Sequence, residues 1–249
     1  KSHEETMITV TELAKLTALS MEEVTEDVQS LEQQGIVKVF RMKKDTYVWH
    51  TIHEQNMRHR LTEALCDYHE TYPYRYGMKK AEIHMTYMKK VKLNVFDLYV
   101  EMLSEEGALK RHQEFLQLPE FEVRKDAVYE KVLKTVQKQF EKAQFDFQRF
   151  SEFSFGNIKR EEVEDIMLLL IDEDIVVKIT EDIYTLKSII EKAKEVIQNR
   201  LKENPLITIA EVRDLLGTSR KSAKPILEYM DSIRVTKKNG TESERVAYV

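Results

Sequence analysis

Apolar residues recur along this chain first at helical and then at strand spacing, and the alternation repeats about every 60 residues. In the first stretch, roughly 5–52, Thr9 or Thr11 can open a short helix through Leu13, Ala14 and Leu16. Ser20 with Glu23 forms a capping box for a second helix carrying Val24, Val28 and Leu31. Gly35 stops it. Residues 36–40 and 46–49 then alternate as two strands around Lys43-Lys44-Asp45. A second stretch predicts helices through Leu61, Leu65 and Tyr68, over 81–88 and over 95–103, with a weak hairpin in 108–118. A third predicts a helix through Val128, Val132, Val136 and Phe140, a break at Gly156-Asn157, a helix over 160–170, and strands at 175–179 and 183–186.

The fourth stretch has the clearest punctuation. Ile190, Ala193, Ile197 and Leu201 form one stripe, ended by Pro205. The helix over 187–204 can pack on either neighbouring unit. Thr208 and Glu211 form another capping box, ahead of Val212 and Leu215. Gly217 breaks that helix, and Ser219 caps the next, with Ala223, Ile226, Leu227 and Met230 on its core side. Residues 233–237 and 245–249 predict a hairpin around Asn239-Gly240. Helices followed by a β-wing, repeated, describe a mostly α chain with small β-hairpins (α+β): tandem winged-helix modules in an elongated arrangement. The expected boundaries are 1–52, 53–123, 124–186 and 187–249.

Composition narrows the function. Only six Gly and four Pro occur among 249 residues, which suits helices better than an all-β fold. No Gly-x-x-x-x-Gly-Lys-Ser/Thr or Gly-x-Gly-x-x-Gly pattern is present, so the two common nucleotide cradles are absent. The longest apolar run, Ile166 to Ile171, falls far short of the roughly 18 residues a membrane span needs. The single cysteine, Cys66, permits no internal disulfide and is expected to be a buried small apolar residue. His3, His50, His53, His59, His69, His84 and His112 lack a zinc-like grouping and are expected at the surface or as helix caps. The acidic runs at 161–165 and 172–174 read as solvated helix faces or ends. No catalytic constellation stands out, and the chain is expected not to be an enzyme.

Charge is uneven. The net charge is −5, yet 205–249 carry eight Lys/Arg against six Asp/Glu, and 218–238 carry six against two. Ser219, Arg220 and Lys221 fall at a helix start, where backbone N–H groups and the helix dipole favour phosphate. Lys224 lies about a turn further on, and Arg234, Lys237 and Lys238 lie in the hairpin. An ordinary solvated helix start stays open as the alternative. A second basic stretch, Arg75 to Lys92, interleaves six Lys/Arg with Tyr76 and Tyr87, beside Tyr72 and Tyr74. It reads either as a stacking surface for bases or as a small core with solvated lysines.

Arg213-Asp214-Leu215-Leu216-Gly217-Thr218-Ser219-Arg220-Lys221, followed by Leu227-Glu228-Tyr229, resembles the last winged-helix module of the bacterial selenocysteine-specific translation elongation factor (SelB). Tyr68-His69-Glu70 through Pro73, Gly77 and Met78 resembles the start of that family's second C-terminal module. The resemblance implies four winged helices behind a GTPase with three factor-like domains. In that family the last module holds a selenoprotein mRNA hairpin (SECIS) beside an in-frame UGA codon. Arg213, Ser219, Arg220, Lys221, Lys224, Lys237 and Lys238 are the RNA contacts it implies. It also implies a role for the other modules as a largely rigid arm between hairpin and ribosome. Cofactors are expected to be none in this chain, GTP and Mg belonging to the front domains, which also bring selenocysteinyl-tRNA. The resemblance implies a cytoplasmic monomer without membrane contact. The first residue is Lys1, so a piece of a longer protein is expected. The wing departs from the family pattern, because Thr241-Glu242-Ser243-Glu244 intervene before Arg245 and make it longer and more acidic. A DNA-binding transcription regulator and a protein-interaction scaffold are the rival readings.

Overall fold

The computed structural model describes residues 7–248. The chain folds as two compact units, with the boundary between Val123 and Arg124.

In the first unit, β1 (Ile8–Thr9), α1 (Val10–Thr17), α2 (Met21–Gln33), β2 (Val37–Arg41) and β3 (Thr46–His50) come first. The strands form an antiparallel sheet in the order β1-β3-β2. Thr9 caps α1 and Ser20 caps α2, each in a full capping box, because the Glu three residues on returns a bond to the cap backbone. Val10 and Ala14 face the core of α1. Leu16 does not, being 68% exposed, since the stripe starts at the cap and runs at i, i+4.

The unit continues with α3 (Thr51–Thr71), β4 (Met78–Lys79), α4 (Lys80–Tyr87), α5 (Leu93–Glu105), β5 (Lys110–His112) and β6 (Phe115–Gln117), in a sheet ordered β4-β6-β5. Met57, Leu61, Leu65 and His69 form the buried stripe of α3. Cys66 is one position off this stripe and is exposed, against the expectation of burial. Phe40, Tyr47 and Trp49 of the first hairpin share one core with Leu61, Leu65, Phe96 and Tyr99. The buried Glu54 carboxylate fastens this junction, accepting from Tyr99 Oη at 3.2 Å and Arg58 Nε at 3.1 Å. Arg58 also pairs with Glu106, which Lys38 reaches at 2.8 Å. Gly77 lies against β6, where a Cβ would stand 2.1 Å from the Leu116 carbonyl oxygen.

In the second unit, α6 (Ala127–Ala143), a 3-10 turn (Phe150–Glu152), α7 (Arg160–Asp172), β7 (Val176–Thr180) and β8 (Ile183–Leu186) come first. Asp126 caps α6 by accepting from Val128 and Tyr129 backbone N–H groups. Within the acidic run on α7, Asp165 is buried rather than solvated. Then come α8 (Lys187–Glu203), β9 (Leu206–Thr208), α9 (Ile209–Leu216), α10 (Arg220–Ser232), β10 (Thr236–Asn239) and β11 (Thr241–Ala247). Their sheet is ordered β10-β11-β9. The apolar stripe of α8 joins Ile207, Val212, Ile226 and Leu227 in one core with Val177 of β7, so α8 packs on both of its neighbours. The expected second wing strand from residue 245 instead begins at Thr241, and the acidic insertion is β-structure. The end of that expected strand, Val249, lies outside the described residues, as does His3.

Candidate nucleic-acid interface

The turn between α9 and α10 is built by local chemistry. Thr208 and Glu211 close the box that starts α9, and the bond from Thr208 N–H holds the Glu211 carboxyl below its ordinary pKa. Gly217 ends α9 at φ +60°, a left-handed conformation in which glycine carries no Cβ penalty. Ser219 caps α10, its Oγ accepting from Ser222 N–H at 3.3 Å.

Distant residues then fix the turn. Thr218 Oγ1 donates to the Phe145 carbonyl at 2.6 Å. Phe147 N–H donates to Ser222 Oγ at 3.0 Å, and Ser222 Oγ donates to Asp146 Oδ1 at 3.4 Å. Ser222 and Phe147 are buried, so the bond between them is made where water competes poorly. Residues 145–147, just beyond α6, thus hold the start of α10. Sequence reasoning did not find them. The only signal is the Phe-Asp-Phe pattern, which says nothing about a partner more than 70 residues on.

Of the residues implied to touch RNA, the structure sets Ser219, Arg220 and Lys221 side by side at the helix start, with Lys224 on the next turn. All four are exposed. Among the described residues, Arg220 and Lys221 make no ion pair. The others are engaged. Arg213 donates to the adjacent Asp214 at 2.7 Å, which holds that carboxyl below its ordinary pKa. Lys224 reaches Glu228 at 3.6 Å. Lys238 binds Glu242 at 2.6 Å, lowering that carboxyl's pKa. Lys237 and Arg234 sit over the Tyr248 ring at 5.9 and 6.0 Å. All of these are surface pairs, worth about 0–1 kcal/mol each, so a phosphate can displace them. Arg220 and Lys221 need no such exchange.

Arg245 is buried and serves the fold. Its Nε donates to Asp231 Oδ2 at 2.6 Å, and Nη1 to the carbonyls of Glu242 and Glu244. Asp231 also accepts from Thr236 Oγ1 at 2.7 Å. The wing is therefore tied to the C-terminal half of α10.

The described residues hold no group of three or more His, Cys, Asp or Glu placed to bind a metal ion. His50 caps α3 through Nδ1, accepting from Ile52 N–H at 3.2 Å, as expected of a surface histidine. His69 departs from that expectation: it is 6% exposed, stacks on Phe121 at 3.5 Å, and accepts from Leu118 N–H at 3.2 Å through Nε2. Among the described residues, no helix is long and apolar enough to cross a membrane.

Residues 199–243, which contain this turn, match a family described as "Elongation factor SelB, winged helix", and residues 62–118 match a second family of the same description. These two stretches are winged helices of the SelB type. The family designations count these as the third and second winged helices; along this chain they fall in the fourth and second helix–hairpin stretches. A selenocysteine-specific elongation factor of Desulfomicrobium baculatum is 23% identical over 183 residues, covering 73% of this chain and 29% of that protein. The chain thus spans under a third of that relative's length. Two solved structures overlap it more loosely. The mRNA-binding domain of elongation factor SelB from E. coli in complex with SECIS RNA gives a TM-score of 0.43 at 19% identity, over 50% of this chain and 100% of that one. A bacterial selenocysteine-specific elongation factor gives 0.46 at 17% identity, over 84% of this chain and 32% of that one.

Proposed function

We propose that this SelB-type region binds a structured mRNA hairpin through the start of α10. Arg220 and Lys221, exposed and free of ion pairs beside a capped helix N-terminus, carry this reading. Arg220 supplies a fork of donors suited to a phosphate or a guanine edge, and Lys221 a mobile point charge. Backbone N–H groups of the first helical turn add partial positive charge. Ser219 orders the turn, and the 145–147 segment holds it before RNA arrives, so little ordering cost falls on binding. Lys224 extends the surface once Glu228 is displaced, and Arg213, Lys237 and Lys238 join on the same terms. Phosphate contacts supply affinity, and unpaired loop bases supply specificity.

The name of the Desulfomicrobium relative, together with the SelB family matches, extends this reading to the whole protein. There the region tethers domains that carry GTP and selenocysteinyl-tRNA to a ribosome in the cytoplasm, and itself performs no catalysis. The test is direct. A stem-loop from a selenoprotein message of the same genome is titrated into the full chain and into Arg220→Ala, and binding is followed by calorimetry. The substitution weakens binding by about 1–3 kcal/mol, the worth of a bidentate contact. Unchanged affinity removes Arg220 from the interface.

A further inference from the structure

The basic, tyrosine-rich stretch from Arg75 to Lys92 divides in two in the folded chain. Its first half is occupied by packing. Tyr74 is buried, Tyr76 stacks on His112 at 3.8 Å, and Arg75 lies 4.0 Å over the Tyr72 ring. Its last residues instead line a cleft of about 210 Å³ in the first unit. Trp49 and Met88, both buried, form the apolar part, Tyr87 contributes a ring, and Arg60, Lys89 and Lys90 bring three cations. A second cleft of about 350 Å³ continues along α3 past His53 and Asn56 and shares Met57 and Arg60 with the first.

Three observations identify an occupant. No Asp or Glu lines either cleft, although acids outnumber bases in the chain by 44 to 39. Arg60, Lys89 and Lys90 make no ion pair among the described residues. Arg60 does lie 5.9 Å over the Tyr87 ring, so a planar group and a positive charge are presented together. Finally, Trp49 is 2% exposed, yet its indole N–H, which a buried tryptophan normally donates, has no acceptor among the described residues. The first cleft is smaller than the roughly 300–1,000 Å³ of an ordinary small-molecule site. Its size suits one flat ring, and its cations suit one or two phosphates.

We propose that this cleft takes an unpaired nucleotide of a passing RNA strand, a second RNA contact in a unit other than the one that holds the hairpin. The phosphates meet Arg60, Lys89 and Lys90, the base lies against Tyr87, and the Trp49 N–H donates to a base oxygen or nitrogen. An acidic peptide would satisfy the cations and leave the ring wall unused. That the strand is RNA rests on the function proposed above; that the cleft takes a nucleotide does not.

Trp49 is the only tryptophan in the chain, so its fluorescence reports this cleft and is silent about the last module. The full chain is titrated at low salt with hexauridylate, hexathymidylate and hexaglutamate. Hexauridylate quenches Trp49 in a salt-sensitive manner. The Lys89→Ala/Lys90→Ala variant, altered only at exposed loop positions, binds it roughly tenfold more weakly. Arg60→Gln, on the exposed face of α3, does the same, so the result does not depend on one variant keeping its fold. No quenching by hexauridylate, undiminished quenching in both variants, or equal quenching by hexaglutamate overturns the nucleotide site. Equal binding of hexathymidylate overturns RNA as its source. Stem-loop affinity is measured separately, so either failure is distinguishable from failure of the hairpin reading.

Discussion

Arg245 has no exposed surface, and its charge is answered chiefly by Asp231. Removing one partner of such a pair leaves an uncompensated buried charge, at a cost of about 3–5 kcal/mol. Asp231→Ala therefore destabilises the last module by about 3 kcal/mol, the low end of that range, because Asp231 keeps 22% of its side-chain surface in water. Asp231→Asn, which retains an acceptor, costs less. Amide exchange of β10 and β11 reads the difference. His69 gives a second test. Burial lowers its pKa from 6.5 to about 4, so between those values the unfolded chain binds a proton that the folded chain refuses. Its contribution to stability is fully present above pH 6.5, falls as the pH drops through this window, and levels off below about 4. The total is on the order of 3 kcal/mol. Urea unfolding followed by Trp49 fluorescence shows this slope, and His69→Gln flattens it. An unchanged slope in that variant would assign the acid sensitivity to other groups.

At the scale of elements, the start of α10 is set by short-range and long-range causes together. The short-range ones were legible. Thr208 with Glu211, Gly217 and Ser219 act on backbone groups at most a few residues away, and each was placed correctly from sequence. The long-range ones were not. Thr218, Ser222 and the 145–147 segment meet only in the folded unit, as do Arg245 and Asp231, which no local spacing joins. The same limit explains Cys66 and Leu16, which fall off stripes whose phase depends on the packing partner. Pro225, inside α10, lacks an N–H, so the Lys221 carbonyl loses its usual helical partner in the turn proposed to meet RNA. Asp146 brings a carboxylate to the same turn, where it complements the helix dipole but repels phosphate. Asp146→Asn strengthens stem-loop binding by about 0.5 kcal/mol, two- to threefold, the worth of an exposed charge pair. Calorimetric titration detects a change of that size, and weaker binding would show that Asp146 matters more for holding the turn than for repelling RNA.

At the scale of the whole molecule, net charge conceals function. The chain is acidic overall at −5, yet six of the eight Lys and Arg in 205–249 fall within 218–238, against two acids. Binding of an anionic hairpin at one cationic patch on an acidic protein demands counterion release, and so a measurable dependence on salt. Two or three phosphates held by Arg220, Lys221 and Lys224 correspond to a slope of about −2 in log K against log salt. The most direct test of hairpin binding at the α10 start is stem-loop affinity of the full chain between 50 and 200 mM salt, repeated with duplex DNA as competitor. The predicted result is a slope near that value and a hairpin that duplex DNA displaces only in large excess; a flat salt dependence, or displacement at equal concentration, would contradict it.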